Sequence, residues 1–219
     1  MVERFARPSI IAAVILFWCA LFTFAALYPG YSHYHRAISE LGAFGTPHSL
    51  AWNLLGFIIP GLLLALGGAG VATAIVGRRS ALGWLLVASG LGFAGAGFVP
   101  AEMQHGSPLM QSPWTLGHLL MTLVSGLPWV VATFVLASRV KRHSTWQPFS
   151  RASLILSLLA LASFVFNPVS RAIPYFSDKP GLAQRIAFAM YFGWFLAVGL
   201  MFLTAPRRAQ HQNAGTRTN

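Results

Sequence analysis

The chain has 219 residues, of which 56% are hydrophobic and 9% charged. That balance excludes a water-soluble globule, in which about a quarter of residues are charged. The formal charge of +11 would suggest nucleic acid as a partner in a soluble protein, so the placement of the charges decides their meaning. One cysteine, Cys19, excludes an intrachain disulfide and a thiolate zinc site, which needs several sulfurs at close spacing.

Long apolar runs occur, in chain order, at Pro8 to Tyr28, His48 to Val76, Ser80 to Val99, Trp114 to Ser138, Ser150 to Val169 and Gln184 to Ala205. A helix rising 1.5 Å per residue needs about 20 residues to cross about 30 Å of hydrocarbon, and each run meets that length. The expected fold is therefore all-α: a polytopic membrane protein with one six-helix domain over residues 1–209 and a disordered tail at 210–219. The first run could instead be a signal peptide, with Arg4 and Arg7 before it and Ala25 and Ala26 near its end. It is longer, however, than the roughly 7 to 15 apolar residues of a cleaved signal. The second run exceeds the bilayer thickness, and Pro60 in its middle is a physical cause for a bend.

The basic residues separate by connection. Eleven of the fifteen fall at the N-terminus (Arg4, Arg7), the second connection (Arg78, Arg79), the fourth (Arg139, Lys141, Arg142, Arg151) and the tail (Arg207, Arg208, Arg217). These four regions lie on one side by parity. Basic segments are retained in the cytoplasm during insertion, so both termini should be cytoplasmic and the first, third and fifth connections outward. With Glu3 inside and Glu40, Glu102 and Asp178 outside, the inner side carries +10 and the outer +1. The basicity thus serves topology and leaves nucleic acid little to explain. Thirteen Arg against two Lys fits a GC-rich bacterial coding sequence, so the expected location is a bacterial cytoplasmic membrane.

Membrane helices pack through small residues and a few polar contacts. The third helix has Gly83, Gly90, Ala94 and Gly97 on one face and Ala88, Gly92 and Ala96 on another, which marks it as the expected central helix. The second contributes Gly61, Gly67, Gly68 and Gly70, and the fifth Ser153, Ser157, Ser163 and Asn167.

Polar chemistry gathers on the outward half: His33, His35, His48, His105 and His118, three of the four acids, and Arg36, Arg171, Arg185 and Asn167. Wet loops account for much of this. His118 is different, because it lies about one turn inside an apolar run, where a desolvated imidazole needs a partner. Thr115, His118, Thr122 and Ser125 share one helical stripe, which points to a water-accessible cleft beside the fourth helix. On the second helix, Thr46 is expected to cap the first turn with Pro47 at the first helical position, holding His48 neutral near the positive helix end. Ser49, Asn53, Gly56 and Pro60 continue that wall. The preceding Ser39-Glu40-Leu41-Gly42 should fold over the outer mouth.

The tract Ile38-Ser39-Glu40-Leu41-Gly42-Ala43, followed by Asn53 and a glycine-rich helix, resembles the bacterial membrane family catalogued as domain of unknown function 998. So do Gly97-Phe98-Val99-Pro100-Ala101-Glu102 with His118 after it, and Gly181-Leu182-Ala183-Gln184-Arg185-Ile186. The resemblance covers nearly the whole chain. Family members often show an aspartate near Glu102. The first tract is also distantly similar to a loop of the eukaryotic DRAM and Sfk-like membrane proteins, which are associated with lipid handling. The resemblance implies an architecture and no reaction.

Three kinds of function remain open from sequence. In an enzyme facing the outer leaflet, His118, Glu40, Glu102 and His48 would be the candidate acids and bases acting on a lipid headgroup or ester. Arg36, Ser39, Asn53, Asn167 and Arg185 would bind the substrate. A zinc variant would recruit His48, His105 and His118, although no close pair of histidines supports it, and no cofactor is expected. A non-catalytic protein that binds lipid or regulates a partner requires only a tightly hydrogen-bonded polar cluster, with Glu40 paired to Arg36 or Arg185. A small-solute transporter would usually keep an acid at the bilayer midplane, which is missing here. His48 and His118, near one surface on different helices, would also allow haem ligation as an alternative, which an absorption spectrum would test.

Overall fold

A computed structural model describes residues 3–77, 79–104, 107–143 and 146–204. Arg78, His105 and the tail at 210–219 lie outside the described residues. Six helices are long and apolar enough to cross a membrane: α1 (Glu3–Leu27), α2 (Ser49–Ile75), α3 (Ala81–Phe98), α4 (Pro113–Arg142), α5 (Ser150–Val169) and α6 (Pro180–Thr204). The all-α polytopic bundle is as expected. Two short antiparallel strands, β1 (Met103–Gln104) and β2 (Ser107–Pro108), lie in the connection between α3 and α4.

Local chemistry sets the helix ends. Ser112 accepts hydrogen bonds from the backbone N–H groups of Trp114 and Thr115, with Pro113 beginning α4, and Ser80 accepts from Gly83 at the start of α3. α4 runs four residues beyond its apolar stretch, carrying Arg139, Lys141 and Arg142 in its last turn, where cations oppose the helix dipole. The expected cap of α2 is not formed. His48 itself occupies the cap position in a left-handed conformation (φ 58°), and α2 starts at Ser49. The Thr46 hydroxyl is spent as a donor to the carbonyls of Leu41 and Ala43, closing a turn inside the connection.

The expected bend in α2 takes the form of a π-helical stretch, Asn53–Ile58, just before Pro60. Proline has no N–H for the carbonyl four residues earlier, so the hydrogen-bond ladder slips: the Ile59 N–H bonds to Leu54 O, five residues back. The slip turns the buried Asn53 side chain toward the first connection, where its Nδ2 donates to Gly42 O at 2.9 Å.

Each helix packs on its chain neighbours, and α6 returns to α1, so the six form a ring in chain order. This corrects the expectation of α3 as a central helix. Both of its small-residue faces are used, but against its two ring neighbours: Gly90 against the backbone of Gly61 and Ala65 on α2, and Gly92 against the backbone at Val124 and Ser125 on α4. Rings from α1, α3 and α6 fill the interior instead, with Phe17 stacked on Phe192 (4.2 Å between centroids) and Phe93 stacked on Tyr191 (5.6 Å).

Candidate functional site: a clasped connection over an amphipathic cavity

The first connection is tied to the start of α6 by polar groups. Arg185 donates from Nε to His33 Nδ1 (3.1 Å), from Nη1 to Gly181 O (2.8 Å) and Arg36 O (3.3 Å), and from Nη2 to the Tyr31 hydroxyl (3.0 Å). Tyr31 passes the tie on, donating to Ala37 O at 3.0 Å. Gln184 Oε1 accepts the Ile38 N–H at 2.7 Å, and the Leu182 N–H reaches Tyr34 O at 3.0 Å. Gly181 is where backbone meets backbone, since a Cβ there would collide with the carbonyls of His33, Tyr34 and Arg36. The result is a 3-10 helix, Ile38–Gly42, held in place from α6.

Within the clasp, Arg36 Nη1 pairs with Glu40 Oε1 at 2.9 Å, with the carboxylate buried and the guanidinium a third exposed. Burial pushes the Glu40 carboxyl above the ordinary glutamate range, and the Arg36 charge and hydrogen bond only partly offset it. Burial, followed by the Arg185 charge, holds His33 below the usual imidazole range, in keeping with a neutral ring that accepts from Arg185. Burial also raises Tyr31, which keeps its hydroxyl a donor. For Glu40 the folded state holds the proton more tightly than the unfolded chain. The stability linked to this group is therefore complete below the ordinary glutamate value and is lost as pH rises through the folded value. Melting curves should show the wild type losing stability relative to Glu40→Gln as pH climbs above about 4. Parallel curves for the two proteins would refute the assignment.

Beneath the clasp, among α4, α5 and α6, lies a cavity of about 390 Å³, within the usual size range of ligand pockets. Its end under the connection is polar, with Ser39, His118, Asn167 and Gln184 in the wall. Further along α4 the wall is mainly aromatic, with Phe93, Trp129, Phe164 and Tyr191 beside the hydroxyls of Ser125 and Ser163. His118 and Trp129 are eleven positions apart on α4, so the gradient from polar to apolar extends about 16 Å along that helix. Leu119 (39% exposed) and Leu123 (48% exposed) also line it. The wall thus includes side chains of α4 that are also exposed on the surface of an apolar span.

Of the residues expected to form one site, the cavity wall contains His118, Ser39 and Asn167. Glu40, Glu102, His48, Arg36, Arg185 and Asn53 are not in it. The cavity wall therefore brings His118 together with none of the carboxylates. Glu40 is turned to Arg36, Asn53 to Gly42, and Arg185 has four neutral acceptors around its guanidinium, so it holds the connection and has little left for a phosphate. Glu102 is joined to α4 through its backbone, with Thr115 Oγ1 accepting from its N–H at 3.0 Å and donating to its carbonyl at 3.2 Å. His48 is exposed and sits 6.3 Å from the Phe24 ring. Among the described residues no three His, Cys, Asp or Glu side chains are placed to hold a metal, and His105 falls outside them.

Of the polar stripe on α4, Thr115, His118 and Ser125 are buried, whereas the exposed Thr122 hydroxyl turns back to His118 O at 2.9 Å. Ser125 donates to the Tyr191 hydroxyl (3.3 Å), which lies 2.9 Å from Ser89 Oγ. Tyr191, Gln184 and Trp129 are cavity residues that sequence reasoning did not single out. Tyr191 had a usable signal, a hydroxyl in mid-run that needs partners, which is the argument applied to His118.

No curated protein and no solved structure matches the chain. The family model described as a protein of unknown function (DUF998) matches residues 11–201, reaching from α1 to α6, and the chain belongs to that family.

Proposed function

We propose that the protein binds a membrane-borne amphiphile in the cavity beneath the first connection, as a non-catalytic lipid-binding protein. The observation that carries this reading is the cavity's mixed lining: neutral hydrogen-bonding groups under the connection, aromatic rings that reach as far as Trp129, about 16 Å along α4 from His118, and the exposed Leu119 and Leu123 in the same wall. The positive-inside pattern of the loop charges supports an orientation with the polar end toward the outer leaflet, where a lipid headgroup would lie. An acid–base enzyme draws less support, because the described cavity wall holds an imidazole and no carboxylate.

The test is lipid retention by the full chain. Protein purified in mild detergent and extracted for mass spectrometry is expected to carry a bound amphiphile at near-stoichiometric level. Ala187→Trp, which places an indole in the cavity, should reduce that amount at least about tenfold with an unchanged melting temperature. Equal retention by both proteins, or none by the wild type, would overturn the reading.

A further inference from the structure

The polar end of the cavity holds an acceptor that no group among the described residues satisfies. His118 is 7% exposed, and its Nδ1 lies 3.0 Å from Ala96 O and 2.9 Å from Val99 O on α3. Carbonyls only accept, so the hydrogen-bond network assigns the ring proton to Nδ1, and Nε2 of the neutral ring carries the lone pair. Nε2 has no hydrogen-bond partner among the described residues, and His118 is part of the cavity wall. A second group has the opposite need. Gln184 Oε1 is taken by the Ile38 N–H, which leaves its amide N–H groups as donors with no partner among the described residues.

We infer that the head of the bound amphiphile is a free hydroxyl, which donates to His118 Nε2, and that the ligand class is a neutral membrane alcohol. This rests on the lipid-binding reading above. Alternatives fail on charge and on hydrogen-bond direction. An ionised carboxylate or phosphate presents only acceptors to a lone pair, and no Arg or Lys lines the cavity. An ammonium head could donate, but no carboxylate lines the wall to balance its charge in a low-dielectric site. A hydroxyl donates once and accepts as well, so its chemistry matches both the imidazole lone pair and the donor of the Gln184 amide. The aromatic far end takes the chain.

The experiment measures binding of radiolabelled tetradecanol to the full chain in lipid nanodiscs, competed by tetradecanoate, tetradecyl phosphate, tetradecylamine and the methyl ether of tetradecanol. The alcohol is expected to bind at least about tenfold tighter than each competitor, the strength of one well-placed hydrogen bond to an otherwise unpaired buried group. His118→Phe should abolish that preference. The methyl ether keeps size and apolarity while removing the donor, so it tests the inference without altering the protein. If ether and alcohol bind equally, the hydroxyl assignment is wrong while the cavity reading stands. If no probe binds, or Ala187→Trp leaves tetradecanol binding unchanged, the cavity reading itself falls.

Discussion

Replacing Arg185 with methionine is expected to release the first connection from α6 while leaving the six-helix ring intact. The substitution keeps a long apolar stem but removes the donors to His33 Nδ1, Gly181 O, Arg36 O and the Tyr31 hydroxyl. Hydrogen bonds from a charged donor contribute about 1.5 to 3 kcal/mol each when buried, and partial exposure here reduces that. A local loss of about 2 to 4 kcal/mol is therefore expected, confined to the connection, because the hydrogen bonds of the guanidinium go to the first connection and to Gly181 in the first turn of α6. Amide exchange at Ile38–Gly42 should accelerate by roughly 30-fold to 1,000-fold, whereas the amides at the middle of α3 keep their protection. Since Ser39 lines the cavity and Gln184 holds the Ile38 N–H, the same variant should speed exchange of a bound amphiphile. Unchanged exchange at residues 38–42 would show that Arg185 does not hold the connection.

That expectation concerns a residue whose sequence neighbourhood gives no hint of its job. Arg185 contacts groups some 150 positions away in the chain, and spacing arguments reach only along one helix, so the sequence offers this cation beside a membrane as a substrate-binding residue. The spans themselves were legible because hydrocarbon thickness dictates run length. His118 was legible too, since an imidazole in an apolar run must find a partner. Its partner, the α3 backbone at Ala96 and Val99, was hidden because carbonyls carry no sequence signature. Helix order within the ring was also out of reach. Two small-residue faces on α3 mark two neighbours, and whether these flank a ring or surround a centre depends on the bulky rings elsewhere, Phe17, Phe93 and Phe192 among them. His48 was misplaced by a local competition: Thr46 donates to Leu41 O and Ala43 O rather than capping α2.

The seam between α2 and α3 should be the least tolerant place in the bundle. At Gly90 a Cβ would lie on the Ala65 N and the Gly61 carbonyl, and at Gly61 a Cβ would lie on the Gly90 carbonyl and the Ala94 backbone, so the two helices meet backbone to backbone. No flexible side chain is there to move aside, so the strain of a larger residue falls on helix separation. Lipid exerts no hydrophobic pressure to close such a gap, and loss of close packing is loss of the main attractive term. Gly90→Leu is therefore expected to cost on the order of 3 kcal/mol or more. Unfolding in a denaturing detergent would read this as an early transition and a poor yield of monodisperse protein. Gly193 on α6 supplies the control, because a Cβ there meets nothing within 4 Å. Gly193→Leu should melt with the wild type, which separates a general effect of a larger residue in a membrane helix from one specific to the seam. A Gly90→Leu protein as stable as Gly193→Leu would mean that α2 and α3 are not pressed together as described. The cavity would be affected only indirectly, since α3 reaches it through Phe93 and Ala96, so amphiphile binding in Gly90→Leu should fall in step with the folded fraction and no further.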